Sequence, residues 1–138
     1  MTPKKQEKIF PLLYSVELLR IAQGDLQSAE ILASGNPDRK ENIIYLAQQS
    51  LEKALKAVLC ALGLAVPLIH DIGALIAKIP SDITPPFGYE LARLTEYAAI
   101  RQYIEGPEAL ETDEIQATLL AVSQAVAWCA SLVQEKTP

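Results

Sequence analysis

The chain has 138 residues, a length typical of one domain, and half of these residues are hydrophobic. That content is enough to form a core without metals or disulfides, so we expect a single domain over 1–138 with its core at about 10–134. The formal net charge is -5. Proteins that bind long nucleic acid usually have a basic surface, so the composition argues against nonspecific duplex binding by the whole surface. It does not exclude a small nucleotide, a local basic pocket or a basic partner protein.

The cellular environment is indicated by the two cysteines and by the apolar runs. Cys60 and Cys129 fall inside predicted helices, and two separate cysteines do not make a disulfide framework. No signal-length apolar stretch follows the polar N-terminus, and no run approaches 18 uninterrupted apolar residues. We therefore expect a cytoplasmic protein with no membrane span.

A first long helix is predicted at about 12–33. Apolar residues recur there at spacings of three and four, which places them on one helix face: Leu12, Val16, Leu19, Ala22, Leu26, Ala29 and Ala33. Gly35 is expected as a left-handed cap, and Pro37 ends the helical pattern.

The second helix is predicted at about 39–62, with Asp38 as its cap and Glu41 completing a capping-box pattern. A wide apolar stripe includes Leu51, Leu55 and Val58, while Gln49, Glu52, Lys53 and Lys56 lie away from its centre. Glu52 and Lys56 are four residues apart with the acid first, the favourable order for an ion pair on a helix. Gly63 ends this helix.

Three more helices complete the pattern. A short one is predicted at about 71–78, a fourth at about 89–103 and a last one at about 112–134 with Thr112 as its cap. There is no alternating pattern of the kind that indicates strands. The sequence therefore predicts an all-α, antiparallel up-and-down bundle of four to five helices.

The sequence contains few residues suited to a metal site or a phosphate site. A zinc site needs three or four suitably placed donors, and the chain offers one histidine and two separated cysteines. The six glycines are scattered, and no glycine-rich phosphate fingerprint follows a strand. We expect no metal and no cofactor.

Three groups of polar residues remain as candidates for binding. Gln49, Lys53 and Lys56 share one side of the second helix, so they either converge on an anion or partner or form a solvated face. His70 and Asp71 begin the short helix and serve either as a cap with an anchoring hydrogen bond or as a ligand contact or proton shuttle.

The third group is Tyr97, Arg101 and Tyr103. A guanidinium near a helix end can hold a phosphate, with a ring nearby for base stacking. The alternative is a structural ion pair of Arg101 with Glu96, with Glu105 or with a neighbouring helix.

These residues together resemble a known family. The segment 47–57 reads AQQSLEKALKA and is followed by Pro67 and by His70-Asp71-Ile72. It resembles the core of the HEPN family (higher eukaryotes and prokaryotes nucleotide-binding), and the resemblance spans about 10–134. Further matching positions lie on either side: Ala22, Asp25, Ala29, Leu94, Tyr97, Ala98 and Arg101.

The resemblance implies a helical bundle that usually dimerises and is often encoded beside a minimal nucleotidyltransferase in toxin–antitoxin pairs. Many family members are metal-independent ribonucleases. Their signature is an arginine, four to six spacers and a histidine, assembled at the dimer cleft. Arg101 matches the signature arginine, but residues 102–109 contain no histidine, and His70 precedes Arg101. A ribonuclease needs a group that moves protons near neutral pH, and Tyr103, with an ordinary pKa of about 10, is a poor base there.

The sequence and its resemblance to the HEPN family together predict a noncatalytic, dimeric module of this type that binds a nucleotide or a nucleotidyltransferase. Lys53, Lys56 and Arg101 are expected to bind anionic groups, while Gln49, Tyr97 and Tyr103 shape the cleft. His70 and Asp71 are expected to brace it. Two alternatives stay open: a divergent ribonuclease, a toxin with its active site at the dimer cleft, which uses Arg101 and Tyr103 with His70, and a dimeric scaffold without a ligand.

Overall fold

A computed structural model describes residues 7–106 and 110–138, except for the side chain of Gln102. The described residues form an antiparallel up-and-down helical bundle, so the predicted all-α fold is confirmed. Its elements, in chain order, are β1 (Glu7–Lys8), α1 (Tyr14–Ser34), α2 (Glu41–Ala61), β2 (Val66–Pro67), α3 (Ile72–Lys78), α4 (Tyr89–Glu105) and α5 (Thr112–Lys136).

The buried face of α1 is rotated from the predicted one at its first turn. Leu12 and Val16, expected inside, are 40% and 47% exposed, and Ser15 is fully buried instead. The Ser15 hydroxyl donates a hydrogen bond of 2.7 Å to the Leu12 carbonyl, so it is buried with its polar group satisfied. Further along α1, the predicted Ala22 is buried. The prediction was wrong at the first turn because spacing alone does not say which of two adjacent positions faces the neighbouring helix.

Helix α2 is the centre of the bundle. It contacts α1, α3, α4, α5 and β2, so its side chains are covered on nearly every side. Leu51, Leu55 and Val58 are buried as predicted. Glu52, which the sequence placed away from the apolar stripe, is only 5% exposed. A helix surrounded by neighbours buries even its polar positions, and a carboxylate in such a place requires partners.

The predicted N-caps are correct for α3 and wrong for α2 and α5. Lys40 and Glu111 occupy the cap positions of α2 and α5, without a side-chain hydrogen bond to either helix. Asp38 therefore does not cap α2, and Thr112 is the first residue of α5 rather than its cap. At α3, by contrast, Oδ1 of Asp71 accepts a hydrogen bond of 3.1 Å from the Ala74 amide.

Two helices end differently from each other. Gly63 follows α2 in the left-handed region, with φ of 74°, as predicted for a glycine stop. After α1 the left-handed residue is Asn36, with φ of 49°, whereas Gly35 has an ordinary φ of -90°. Asparagine tolerates this conformation better than most residues, so the left-handed residue comes one position after the predicted Gly35.

A two-stranded antiparallel pairing ties the N-terminal segment to the loop after α2. Glu7 pairs with Pro67, and Lys8 pairs with Val66. Lys78 of α3 reinforces this contact with an ion pair of 2.9 Å to Glu7. Strands of two residues are too short to produce a sequence pattern, so the pairing was not predicted. It holds the loop that leads to His70.

Both cysteines are free and buried, as predicted. Burial raises the pKa of the Cys129 thiol to about 12. Burial also raises the pKa of the Cys60 thiol, against a smaller opposing effect of its hydrogen bond with the Ser15 backbone. Both groups are therefore neutral side chains of the core at physiological pH.

One helix of the described residues, α5, is long and apolar enough to cross a membrane. A core helix of a soluble bundle meets the same criterion of length and composition. Helix α5 packs against α1, α2 and α4, with Val122 and Cys129 fully buried in the core. Its apolar character is accounted for by those contacts.

Candidate functional site

The two lysines expected to bind anions are held by carboxylates of the same chain. Nζ of Lys53 lies 2.8 Å from Oδ2 of Asp25, a contact that joins α2 to α1. Nζ of Lys56 lies 3.0 Å from Oε1 of Glu52, so the predicted pair of these two residues is present. The Lys56 side chain is only 15% exposed. Both positive charges are largely compensated where they lie.

Arg101, the third expected cation, also has carboxylate partners. Its Nε donates a hydrogen bond of 3.2 Å to Glu105, and its Nη1 donates to Glu114 of α5. The hydrogen bond to Glu105 raises the pKa of Arg101 above its ordinary value. Electrostatic interactions with Glu114 and Tyr97 act in the same direction. This is the structural ion pair that the sequence offered as the alternative to phosphate binding.

The structure therefore distributes the three cations over different contacts. Lys53 binds a residue of α1, Lys56 binds a residue of its own helix, and Arg101 binds residues of α4 and α5. None of the three lines either of the two cavities described next.

The first cavity lies where α2, α4 and the start of α3 meet, and we call it the His70 cleft. Its volume is about 350 Å³. Among its lining residues are Tyr45, Gln49, Glu52, His70, Asp71 and Glu96. Of the predicted residues, the structure thus brings Gln49, His70 and Asp71 together.

A buried carboxylate anchors the histidine of this cleft. Nδ1 of His70 lies 2.6 Å from Oε1 of Glu52, the same oxygen that accepts from Lys56. Because a carboxylate oxygen accepts, Nδ1 carries the proton and Nε2 is directed away from this contact. The His70 side chain is 82% exposed, so the anchoring fixes an imidazole at the surface.

Two further contacts position the walls of the His70 cleft. Nε2 of Gln48 donates a hydrogen bond of 2.8 Å to the Thr95 carbonyl, which ties α2 to α4. The Asp71 side chain holds the first turn of α3, as described above. That His70 and Asp71 brace a ligand cleft stays a prediction, to which these contacts contribute.

The second cavity runs between α4 and α5, and we call it the α4–α5 groove. Its volume is about 680 Å³. Most of its lining is apolar or aromatic and includes Phe87, Leu94, Tyr97 and Leu120. The polar members of the lining are Glu90, Arg93 and Gln124. Among the predicted site residues, Tyr97 lies in this groove.

Apolar exposure extends beyond this groove along α4. Tyr97 is 59% exposed and Leu120 of α5 is 61% exposed. Ile100, Tyr103 and Ile104 are also exposed on the second half of α4. Leu120 and Phe87 were not among the residues predicted from the sequence. Leu120 directly follows the buried Leu119, and adjacent residues of a helix face different directions, so an apolar residue at this position was the signal available in the sequence.

Residues 7–106 and 110–138 contain no group of three or more His, Cys, Asp or Glu side chains that could hold a metal ion.

The five-helix arrangement and the motif around Glu52 and His70 define a class of protein. The family model of the HEPN domain matches residues 15–132, nearly the whole chain, so the chain belongs to the HEPN family. The fold is similar to that of TT1696 from Thermus thermophilus, with a TM-score of 0.71 and 25% sequence identity. That similarity covers 89% of this chain and 98% of TT1696. A search of curated proteins finds no match.

Proposed function

We propose that this HEPN-family chain is a noncatalytic module that binds a protein partner through the α4–α5 groove. The partner we propose is a minimal nucleotidyltransferase, within a cytoplasmic toxin–antitoxin type of system, and we propose that the module itself is a homodimer. The observation that carries this proposal is the apolar, aromatic surface exposed by α4 and α5.

The character of that surface supports a protein as its ligand. The centres of protein interfaces are rich in aromatic side chains and poor in charge, and a few large anchors supply most of the binding energy. Tyr97 and Leu120 are such anchors on the two sides of the groove, and each is more than half exposed. Covering them with a partner removes apolar area from water, which is favourable.

The charges of the chain support the same choice over a polyanion. The lysines and the arginine that would grip phosphates are already paired with Asp25, Glu52 and Glu114. A phosphate would have to displace a carboxylate at each position and leave it without its partner. The net charge of -5 adds a general repulsion toward RNA.

Family context supports the identity of the partner. The HEPN resemblance implies pairing with a minimal nucleotidyltransferase, and it also implies self-association. The ribonuclease signature of the family needs a histidine shortly after Arg101, and none stands in that part of the sequence. His70 hydrogen-bonds to Glu52, whereas Arg101 hydrogen-bonds to Glu105 and Glu114. The noncatalytic part of the proposal rests on the missing histidine after Arg101 and on the separate carboxylate partners of His70 and Arg101.

Co-purification with a nucleotidyltransferase encoded beside this chain tests the proposal. We expect a complex in size-exclusion chromatography with light scattering, weakened by about tenfold or more in Leu120→Glu and Tyr97→Glu. Ile31→Glu is the matched control, because Ile31 is 63% exposed but lies on α1. Wild-type protein that forms no complex, or groove variants that bind as well as the control, would contradict the proposal.

A nucleotide is the second candidate ligand, and Arg93 favours it. Arg93 and Tyr97 both line the groove, which also contains Glu90, so a cation and a ring are available to a ligand there. The volume of about 680 Å³ is within the range of small-molecule sites. A thermal-shift titration separates the candidates. A nucleotide at about 100 times its dissociation constant should stabilise the fold by about 2.7 kcal/mol. The absence of a thermal shift with any nucleotide would contradict this second candidate and favour the protein partner.

A further inference from the structure

We propose that the His70 cleft is a second binding site, separate from the α4–α5 groove, and that it accepts a guanidinium group. The proposal goes beyond partner binding through α4 and α5 and does not depend on it. It rests on Glu52, on the charge of the cleft and on the acceptors and the aromatic ring that line it.

Glu52 is the first observation, because it is a buried carboxylate with one oxygen left over. Lys56 and His70 both contact Oε1, and Oε2 has no hydrogen bond with any residue in the described part of the chain. The residue is only 5% exposed and lines the cleft. A carboxylate has about four acceptor positions, so Oε2 can accept a hydrogen bond from a donor that enters through the cleft.

Charge is the second observation. Three carboxylates line the cleft, on Glu52, Asp71 and Glu96, and its described lining contains no lysine or arginine. Lys56 compensates Glu52, so the charges of Asp71 and Glu96 remain. These charges repel a phosphate or a carboxylate and attract a cation.

The neutral acceptors of the cleft add to this preference. Nδ1 of His70 is engaged with Glu52, so Nε2 is the ring nitrogen left for a ligand, and it accepts a hydrogen bond when the imidazole is neutral. The Gln49 side chain supplies an amide oxygen, and Tyr45, 60% exposed, supplies a ring against which a flat cation can stack. A ligand with several N–H donors in one plane matches these acceptors.

A guanidinium fits this set better than an ammonium. It carries five N–H donors in a planar fork, binds carboxylates in pairs of hydrogen bonds and is weakly hydrated. An ammonium is a compact, strongly hydrated charge that cannot stack on Tyr45 in the same way. The guanidinium can belong to an arginine side chain of a protein or to a small free molecule, because both offer the same chemistry.

The single histidine of the chain makes the site directly measurable. The NMR signals of the His70 ring are unambiguous, because no other imidazole is present. We expect N-acetyl-arginine amide to shift these signals saturably, with N-acetyl-lysine amide binding several-fold more weakly. The citrulline analogue, which has nearly the same shape without the charge, should give no saturable shift. The pentapeptide Gly-Gly-Arg-Gly-Gly separates the two sources: tighter binding than the amide indicates a protein side chain, and weaker binding indicates a small molecule.

Variants locate the binding in the cleft. Glu96→Gln should weaken binding of the arginine amide by about tenfold, since it removes a charge-assisted contact without touching the pair of Glu52 with His70. Glu135→Gln, at an exposed position on α5, is the matched control and should bind as the wild type does. Glu52→Gln should also lose binding, with its fold checked by circular dichroism. The absence of a saturable shift, equal binding of citrulline, or an unchanged affinity in Glu96→Gln would overturn the proposal.

Discussion

Arg101 near the end of α4 donates a hydrogen bond to Glu114 in the first turn of α5. The two residues lie on either side of the break between these helices, and Glu105 accepts a second hydrogen bond from the same guanidinium. One oxygen of Glu114, Oε2, is buried and has no partner within the part of the chain that the structure describes. Removal of Arg101 would therefore leave Glu114 with neither of its oxygens paired.

The first prediction is that Arg101 has a structural role. Arg101→Ala should lower the midpoint of thermal unfolding by a few degrees, because the contact between α4 and α5 is lost, and Arg101→Lys should recover only part of it. The purified wild-type protein should not cleave single-stranded RNA. Cleavage by the wild type that disappears in Arg101→Ala would show instead that the arginine is catalytic.

The second prediction compares two leucines that differ in burial. Leu55 of α2 is 1% exposed, and Leu120 of α5 is 61% exposed. Leu55→Ala should lower the free energy of unfolding by about 2–5 kcal/mol, because it removes packed atoms and leaves a cavity. Leu120→Ala should change it by roughly 0.5 kcal/mol or less. Urea unfolding measures both, and similar losses for the two variants would mean that the assignment of core and surface is wrong.

The third prediction concerns a buried hydrogen bond between α1 and α2. The hydroxyl of Ser50 donates a hydrogen bond of 2.6 Å to the Ala22 carbonyl, and both residues are fully buried. Ser50→Ala should cost about 1 kcal/mol of unfolding free energy, the typical value for such a bond. The exposed Ser28 provides the control Ser28→Ala, for which we expect almost no change. An equal effect of the two substitutions would contradict the contact.

The fourth prediction concerns the thiol of Cys129. Its pKa is raised to about 12 in the folded protein, against about 8.5 in an unfolded chain. The folded state therefore holds this proton more tightly. The resulting stability is fully present below about pH 8.5 and is lost as the pH rises toward about 12. Between about pH 7 and 10 the unfolding free energy of the wild type, measured in urea, should fall by about 2 kcal/mol more than that of Cys129→Ala.

Iodoacetamide labelling tests the burial of the same thiol. It should label Cys129 at neutral pH only after unfolding, and rapid labelling of native protein would contradict its burial.

Helix periodicity predicts most of this fold. In α2 and α5 the apolar residues at spacings of three and four are the residues that pack, as Leu51 and Val122 illustrate. Helix ends were predicted within about two residues. The family resemblance added the correct class.

Tertiary contacts explain what the sequence could not supply. Glu52 is buried because α2 is surrounded, and nothing in its local pattern distinguishes it from the more exposed Lys53 beside it. The partners of the cations belong in part to other helices, such as Glu114 for Arg101, so their neutralisation could not be read from spacing. Likewise, the α4–α5 groove exists only because residues far apart in the chain, such as Tyr97 and Leu120, line one cavity.

The most direct test of the proposed role is hydrogen–deuterium exchange on the chain with and without the proposed partner, a minimal nucleotidyltransferase. Partner binding through the groove predicts added protection in 89–105 and in the first half of α5, at about 112–124, with little change in α1. Protection confined to α1, or to the loop around His70, would contradict the assignment of the α4–α5 groove as the partner surface.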